Sequence, residues 1–321
     1  MRVAIVEPYL QNRTGHYHNV VSEVRAGFRE LGHDVDVFIP KHSDITDLGQ
    51  KVIPYSLSGV MGMPVFRKIA RHLLYIHGLS GFLQKYVGDY DLCLMTTSDN
   101  WETLYAASRV RSHTPIYLYL HALVISQAKA RFLRPLVDLN FNRTTTPIIF
   151  LHPTSLGKDL FHKKITSANV DLISNVPLPI VPLLPNDLPT LCTGGTSSHE
   201  ADFIISYMGD ARREKGFPAV VQLVSECGEG YRFMIQCIPP AGGYEPGIPD
   251  AVNHLKAISK LQSNVTLIET PLLPDEFGKQ ISKSSIVLCL YEPESYSHRL
   301  SGILLESFSR GKPVIVVRGS S

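Results

Sequence analysis

Long hydrophobic runs, paired cysteines, a strong charge of either sign and repetitive segments are all missing from this sequence of 321 residues. The longest apolar stretch, PIYLYLHALVI at 115–125, is interrupted by His121 and is too short to cross a bilayer. The opening residues, MRVAIVEP, pass directly into a strand-like run without the apolar core of a signal peptide. The five cysteines are odd in number and scattered, with no CxxC pair. Neither a disulfide framework nor a zinc site is therefore expected, and a reducing cytosol fits best. A net charge of +2 is far from the strongly basic balance of a nucleic-acid binder, so no nucleic-acid partner is expected. There is no short-period repeat and no low-complexity segment.

What is present is material for two cores. Apolar residues make up 44% of a chain longer than the usual single domain. RVAIVEP reads as a buried strand, LQNRTGHYHN as a polar loop containing Gly15, and VVSEVRAGFRELG as a helix. That helix repeats apolar residues at Val20, Val21, Val24, Phe28 and Leu31, and Gly32 is placed to cap its end. DVDVFIP then returns as a strand. Strand, helix and strand in this order form a right-handed crossover and imply a parallel sheet. Further strands are predicted at DLCLMTT (91–97), PIYLYLHAL (115–123), PIIFLHP (147–153) and VDLISN (170–175).

PLPIVPLLPNDLP, at 177–189, packs five prolines into thirteen residues, which resists both helix and central strand. It marks a linker over 179–200 that separates an amino-terminal domain, 1–178, from a carboxy-terminal one, 201–321. The second domain repeats the logic of the first: DFIISYMG is a strand ending in glycine, PAVVQLVSE a helix, and YRFMIQC, NVTLIET and SIVLCLY are strands. The expected fold is α/β, with two Rossmann-like doubly wound domains facing a cleft. Ligands of such sheets bind beyond the carboxyl ends of the strands.

Two stretches of the second domain carry candidate chemistry. YMGDARREKGF (207–217) gathers Arg212, Arg213 and Lys215 in a loop between a strand and a helix. A helix N-terminus favours anions, and fixed cations beside it would hold a phosphate more tightly. Taken alone, such a loop is equally a solvated basic turn. SHRLSGILLESFSRGKPVIV (297–316) reads as a loop with Ser301 and Gly302, a short helix, a glycine turn and a buried strand. Leu300, Ile303, Leu304 and Phe308 form its apolar stripe, and Glu306 falls beside it, where a carboxylate could accept two ribose hydroxyls. An exposed helix glutamate is the plainer alternative.

The pair YMGDARREKG and SGILLESFSRGKPVIV, with the N-terminal strand, glycine loop, helix and GHDVDVF, resembles the family 4 glycosyltransferases. The resemblance covers essentially the whole chain and implies retaining enzymes of the two-Rossmann-domain (GT-B) architecture. Family members place a G-R-x-x-x-x-K-G segment on the donor diphosphate. Gly209, Lys215 and Gly216 match it in register, Asp210 stands where the arginine usually is, and Arg212 or Arg213 could substitute. The second Glu of the family's Glu-x7-Glu pattern binds the nucleotide ribose and corresponds to Glu306. The first, beside the transferred sugar, corresponds to His298. The family's glycine-rich loop is matched loosely by Gly15 with His16, and His121 resembles a histidine bordering the reaction centre on the acceptor side. The implied catalytic set is His121, Lys215 and Arg212. The implied donor-binding set is Gly15, His16, Gly209, Arg213, His298, Ser301, Gly302 and Glu306.

The resemblance implies transfer from a nucleotide-diphosphate sugar to a glycan, lipid-linked or small-molecule acceptor. No cofactor and no metal are expected, since no Asp-x-Asp triplet of the kind used by metal-dependent sugar transferases is read in the sequence. A non-hydrolysing nucleotide-sugar epimerase, or a degenerate GT-B subunit that binds without turnover, are the alternatives. After GKPVIVV family members continue through another βα unit, so the second domain is expected to be incomplete. VFRKIARHLLYIHGLSGFLQKY (65–86) and KARFLRPL (129–136) mix basic and apolar residues at helical spacing. The first is either a surface helix packed on the sheet or a membrane-surface helix, giving a cytoplasmic protein with possible contact to the cytosolic membrane face.

Overall fold

The computed structural model describes residues 1–13, 16–54, 64–121, 127–153, 161–163, 165–168, 170–176, 203–240, 243–297 and 299–320. The expected linker, 179–200, lies outside the described residues, as do Gly15 and His298. The chain divides into two compact units, each built on its own parallel sheet.

In the first unit the strands are β1 (Arg2–Val6), β2 (Asp34–Pro40), β3 (Gln50–Ile53), β4 (Leu92–Met95), β5 (Ile116–Tyr119), β6 (Ile148–Leu151) and β7 (Asp171–Ile173). They lie in the order β3-β2-β1-β4-β5-β6-β7, every pair parallel. The helices are α1 (His16–Glu30), α2 (Val65–Tyr86), α3 (Trp101–Ser108) and α4 (Gln127–Arg143). Side chains of a strand alternate between faces, so β1 supplies two cores at once. Val3 and Ile5 pack with Val35, Val37 and Val21 of α1. Ala4 and Val6 pack with Phe38 and with residues of α2, α3 and α4. A strand buried on both faces reads as a continuous apolar run, which is why RVAIV and FIP were legible.

The second unit contains β8 (Ile204–Tyr207), β9 (Arg232–Gln236), β10 (Val265–Ile268), β11 (Ile286–Cys289) and β12 (Val314–Val316), ordered β10-β9-β8-β11-β12 and parallel throughout. Its helices are α5 (Phe217–Cys227), α6 (Ile248–Leu261), α7 (Pro274–Lys283), α8 (Pro293–Tyr296) and α9 (Gly302–Ser309). Phe233 and Ile235 of β9 face α5 and α6, whereas Met234 faces the core shared with α9.

Three local expectations are corrected. The loop after β1 is shorter than the polar run suggested, because α1 begins at His16. Phe308 is exposed rather than part of the core, since α9 turns Leu304 and Ser307 inward and Ser307 closes on the Ile303 carbonyl at 2.7 Å. The strand in GKPVIV is not buried: among the described strands β12 pairs with β11 alone, and Ile315 and Val316 are exposed. The Gly32 cap is as expected: its φ is 80°, its amide donates to Arg29 and the next amide donates to the Phe28 carbonyl.

Candidate functional site

In each sheet the first strand is flanked by strands reached in opposite directions, β2 and β4 beside β1, β9 and β11 beside β8. Loops at the carboxyl ends of such a pair diverge and leave a crevice for ligand. Gly209, Lys215, Ser301, Gly302 and Glu306 lie beside the second of these switch points, and Glu7 beside the first.

In the second unit the chain leaves β8 through Met208 and turns at Gly209, whose φ of 115° suits only glycine. Its amide donates to Gln236 Oε1 at 2.7 Å, and Gln236 Nε2 donates to the Thr270 carbonyl, so the turn is tied to the end of β9. A Cβ on Gly209 would lie 3.3 Å from Lys215 Nζ and 3.1 Å from Ile303 Cδ1. The two motifs that stand far apart in sequence therefore meet here, with the basic loop against the first turn of α9. Gly216 is equally constrained: its φ is 74° and a Cβ would sit 2.0 Å from the Leu290 carbonyl oxygen at the end of β11. The Glu292 amide donates to the Glu214 carbonyl, closing the loop on the same strand end.

The cations of this loop are not equivalent. Arg212 Nη2 donates to Asp210 Oδ2 at 2.6 Å and its Nη1 lies 3.5 Å from Glu214 Oε1. Lys215 Nζ is 3.9 Å from the same Asp210 oxygen and is largely buried. Burial pushes the Lys215 ammonium below its ordinary value, opposed by the Asp210 charge. Arg213 turns away, with Nη2 3.4 Å from the Pro246 carbonyl and its amide donating to Glu245. The structure thus groups Arg212, not Arg213, with Lys215 and Gly209.

Ser301 caps α9 by accepting the Leu304 amide at 3.2 Å, and its hydroxyl shares a 2.8 Å hydrogen bond with Tyr291. Tyr291 stacks on Tyr296 at 4.2 Å. A Cβ on Gly302 would meet nothing within 4 Å, so the helix start is open to an approaching group. Glu306 lies one turn further on, half-buried; its carbonyl accepts the Ser309 hydroxyl, and its carboxylate accepts no hydrogen bond from the described residues. Burial raises its carboxyl above the ordinary value, opposed by the Arg310 charge. A carboxylate in such surroundings gains from hydroxyl donors brought by a ligand.

The first unit holds a polar cluster that the sequence did not disclose. Glu7, directly after β1, is fully buried. Its Oε2 accepts the hydroxyls of Thr96 and Thr97 at 2.7 and 2.6 Å, and its Oε1 accepts the Tyr9 amide at 2.9 Å. His121 stands beside it at the end of β5, its amide donating to Asp99 Oδ1 at 2.7 Å. Its Nε2 lies 2.7 Å from the Thr96 carbonyl, which only accepts, so Nε2 carries a proton. His16 is the first residue of α1. The signal for Glu7 was a carboxylate directly after the apolar run VAIV next to the switch point, which the topology alone makes meaningful.

Burial pushes the Glu7 carboxyl above its ordinary 4.5, opposed by the Thr97, Thr96 and Tyr9 hydrogen bonds and by the His121 charge. The folded state then holds this proton more tightly than the unfolded one. Stability from the group is complete below the unfolded value of 4.5 and declines as pH rises through the folded value. Glu7→Gln is expected to flatten that decline in thermal unfolding followed from pH 4 upward. Glu7→Ala, which strands three donors in a dry site, is expected to cost about 3 kcal/mol.

The chain does contain Asp-x-Asp triplets, at Asp34–Asp36 and Asp89–Asp91. Both sit at the amino ends of strands, away from the switch points: Asp36 accepts the Tyr90 hydroxyl and Asp91 the Arg2 amide. No group of three or more metal-ligating side chains occurs among the described residues.

Two parallel, doubly wound sheets carried on one chain define the fold of the GT-B glycosyltransferases. Solved structures bear this out at the level of fold. Sucrose-phosphate synthase from Thermosynechococcus elongatus superposes with a TM-score of 0.60 at 14% identity, covering 98% of this chain and 81% of that one. The apo structure of OtsA gives a TM-score of 0.62 at 11% identity, covering 98% and 84%. Anabaena HepE in complex with UDP and glucose gives 0.59 at 15% identity, covering 100% and 81%. No protein-family model matches the sequence, and no curated protein matches it.

Proposed function

We propose that this chain is a glycosyltransferase that takes a sugar from a nucleotide-diphosphate donor bound at the carboxyl ends of β8 and β11. The observation that carries the reading is the convergence of Gly209, Lys215 and the first turn of α9, with Glu306 one turn along the same helix. Lys215, Arg212 and the amides of Gly302 and Ile303 suit a diphosphate, and Glu306 suits the ribose. A UDP complex is known for HepE, whose fold this chain shares.

In this reading the bond from the anomeric carbon to the diphosphate breaks and negative charge builds on the leaving oxygens. Lys215, Arg212 and the α9 N-terminus stabilise that charge. A bond forms from the acceptor oxygen to the same carbon on the face the diphosphate leaves, and the acceptor's proton passes to the departing phosphate. This retaining course needs no metal for charge compensation. Tyr291 and Ser301 hold the start of α9, and His121 acts on the acceptor side as an oriented imidazole. The acceptor is a glycan, a lipid-linked sugar or a small molecule. Titration with UDP, ADP and GDP tests the donor site: binding of at least one, competed by pyrophosphate, is expected, and binding of none would refute it.

Asp210 tunes this site. Its carboxylate lies where it draws both Arg212 and Lys215, an anion already present where the donor's phosphates would come. Asp210→Asn keeps the side-chain shape and removes one like charge, so nucleoside diphosphate is expected to bind about three- to tenfold more tightly, with a steeper loss on adding salt. Calorimetry at two ionic strengths measures both, and weaker binding by the variant would contradict the assignment.

A further inference from the structure

We propose that the first unit docks on an anionic lipid bilayer through the amino-terminal half of α2 and the outer stripe of α4. The helix α2 has two different halves. Its buried residues, Tyr75, Ile76, Leu79, Phe82 and Leu83, all lie in the second half, where they join the core beneath the sheet. None of residues 65–74 is buried. That half nevertheless carries Phe66, Ile69 and Leu73, all exposed, with Phe66 82% accessible. Spaced at i, i+3 and i+7, they share one side of the helix.

Charge identifies the occupant. No acidic residue occurs anywhere in α2, whereas Arg67 and Lys68 flank the apolar stripe. An apolar stripe flanked on its own helix by cations and by no acid fits an interface where side chains enter the acyl boundary and cations meet phosphate headgroups. A protein partner of ordinary composition would ask for acceptors and donors of both signs around such a patch.

A second helix of the same layer repeats the pattern. Helix α3 packs against α2 on one side and α4 on the other, so the three form one layer over the sheet. On α4, Phe132 is 75% exposed, and Leu136 and Leu139 continue its line at i+4 and i+7, with Arg131 exposed beside them. The one acid of α4, Asp138, is engaged by Thr166 and Ser167 and does not oppose an anionic surface. No helix among the described residues is long and apolar enough to cross a membrane, so the contact is with the bilayer surface.

Sedimentation of the full chain with vesicles of phosphatidylglycerol and phosphatidylcholine in about equal amounts, against phosphatidylcholine alone, tests this. Binding to the anionic vesicles and its loss at high salt are expected. The triple variant Phe66→Ser, Ile69→Ser, Leu73→Ser and the pair Arg67→Glu, Lys68→Glu are each expected to weaken binding at least roughly tenfold, with unchanged melting. Failure of the wild type to bind, or equal binding by folded variants, would overturn the proposal. Self-association of the wild type abolished by the triple variant, without vesicle binding, would assign the face to a second copy instead and also overturn it.

Discussion

Lys215→Met should lower sugar-transfer turnover by about a hundredfold or more while leaving the fold intact and nucleotide affinity reduced far less. The ammonium lies between the Gly209 turn and the Asp210 carboxylate. Methionine keeps the apolar stem in a largely buried place, so the change isolates the charge. A fixed cation in a site of low polarity acts most on the state where charge is developing, the departing diphosphate, and less on the bound donor. The effect should therefore fall on kcat more than on KM. Burial already holds the Lys215 ammonium below its ordinary value. Its protonated form is present below that lowered value and is lost as pH rises through it, taking activity with it. A pH–rate profile whose alkaline limb disappears in Lys215→Met checks the assignment. An unchanged kcat would remove Lys215 from the chemistry.

Glu306→Ala should act on binding instead. The carboxylate sits one turn inside α9, half-buried, and takes no hydrogen bond from the described residues. Two hydroxyl donors from a ribose would supply what it lacks. Their loss is expected to weaken nucleoside diphosphate binding on the order of thirtyfold, about 2 kcal/mol. Because burial raises this carboxyl, the ionised acceptor is present above the raised value and is lost as pH falls through it. Affinity should drop with acid in the wild type and not in Glu306→Gln. A 2′,3′-dideoxynucleotide should bind wild type and Glu306→Ala alike. Equal affinity of Glu306→Ala and wild type for the unmodified nucleotide would place the ribose elsewhere.

The parallel strands were legible because a stretch covered on both faces is apolar at every position, as in VAIV and IVLC. β3 was not, since QKVI is a short edge strand with two polar residues and only β2 beside it. The helix containing Glu306 was placed correctly, yet its inward face was not: Phe308 is apolar but Ser307 is the residue that packs. A serine that satisfies itself on the Ile303 carbonyl can be buried at little cost, and hydropathy does not register this. Arg212 and Arg213 could not be separated by spacing, because a loop has no periodicity. Only the fold shows one drawn to Asp210 and the other to Pro246. Glu7 was hidden for a related reason. Its meaning comes from Thr96 and Thr97, ninety positions away in sequence and adjacent only because β4 pairs with β1.

The turn at Gly209, Lys215 and the start of α9 are proposed to hold a nucleoside diphosphate whose sugar is transferred. The most direct measurement is release of nucleoside diphosphate from a panel of UDP-, ADP- and GDP-sugars by wild type and Lys215→Met side by side, with the anomeric configuration of the product read by NMR. Release from at least one donor, a product of retained configuration when an acceptor is present, and near-complete loss in the variant are expected. A wild-type chain that neither binds nor turns over any of these donors, or a Lys215→Met chain that does so equally well, would contradict it.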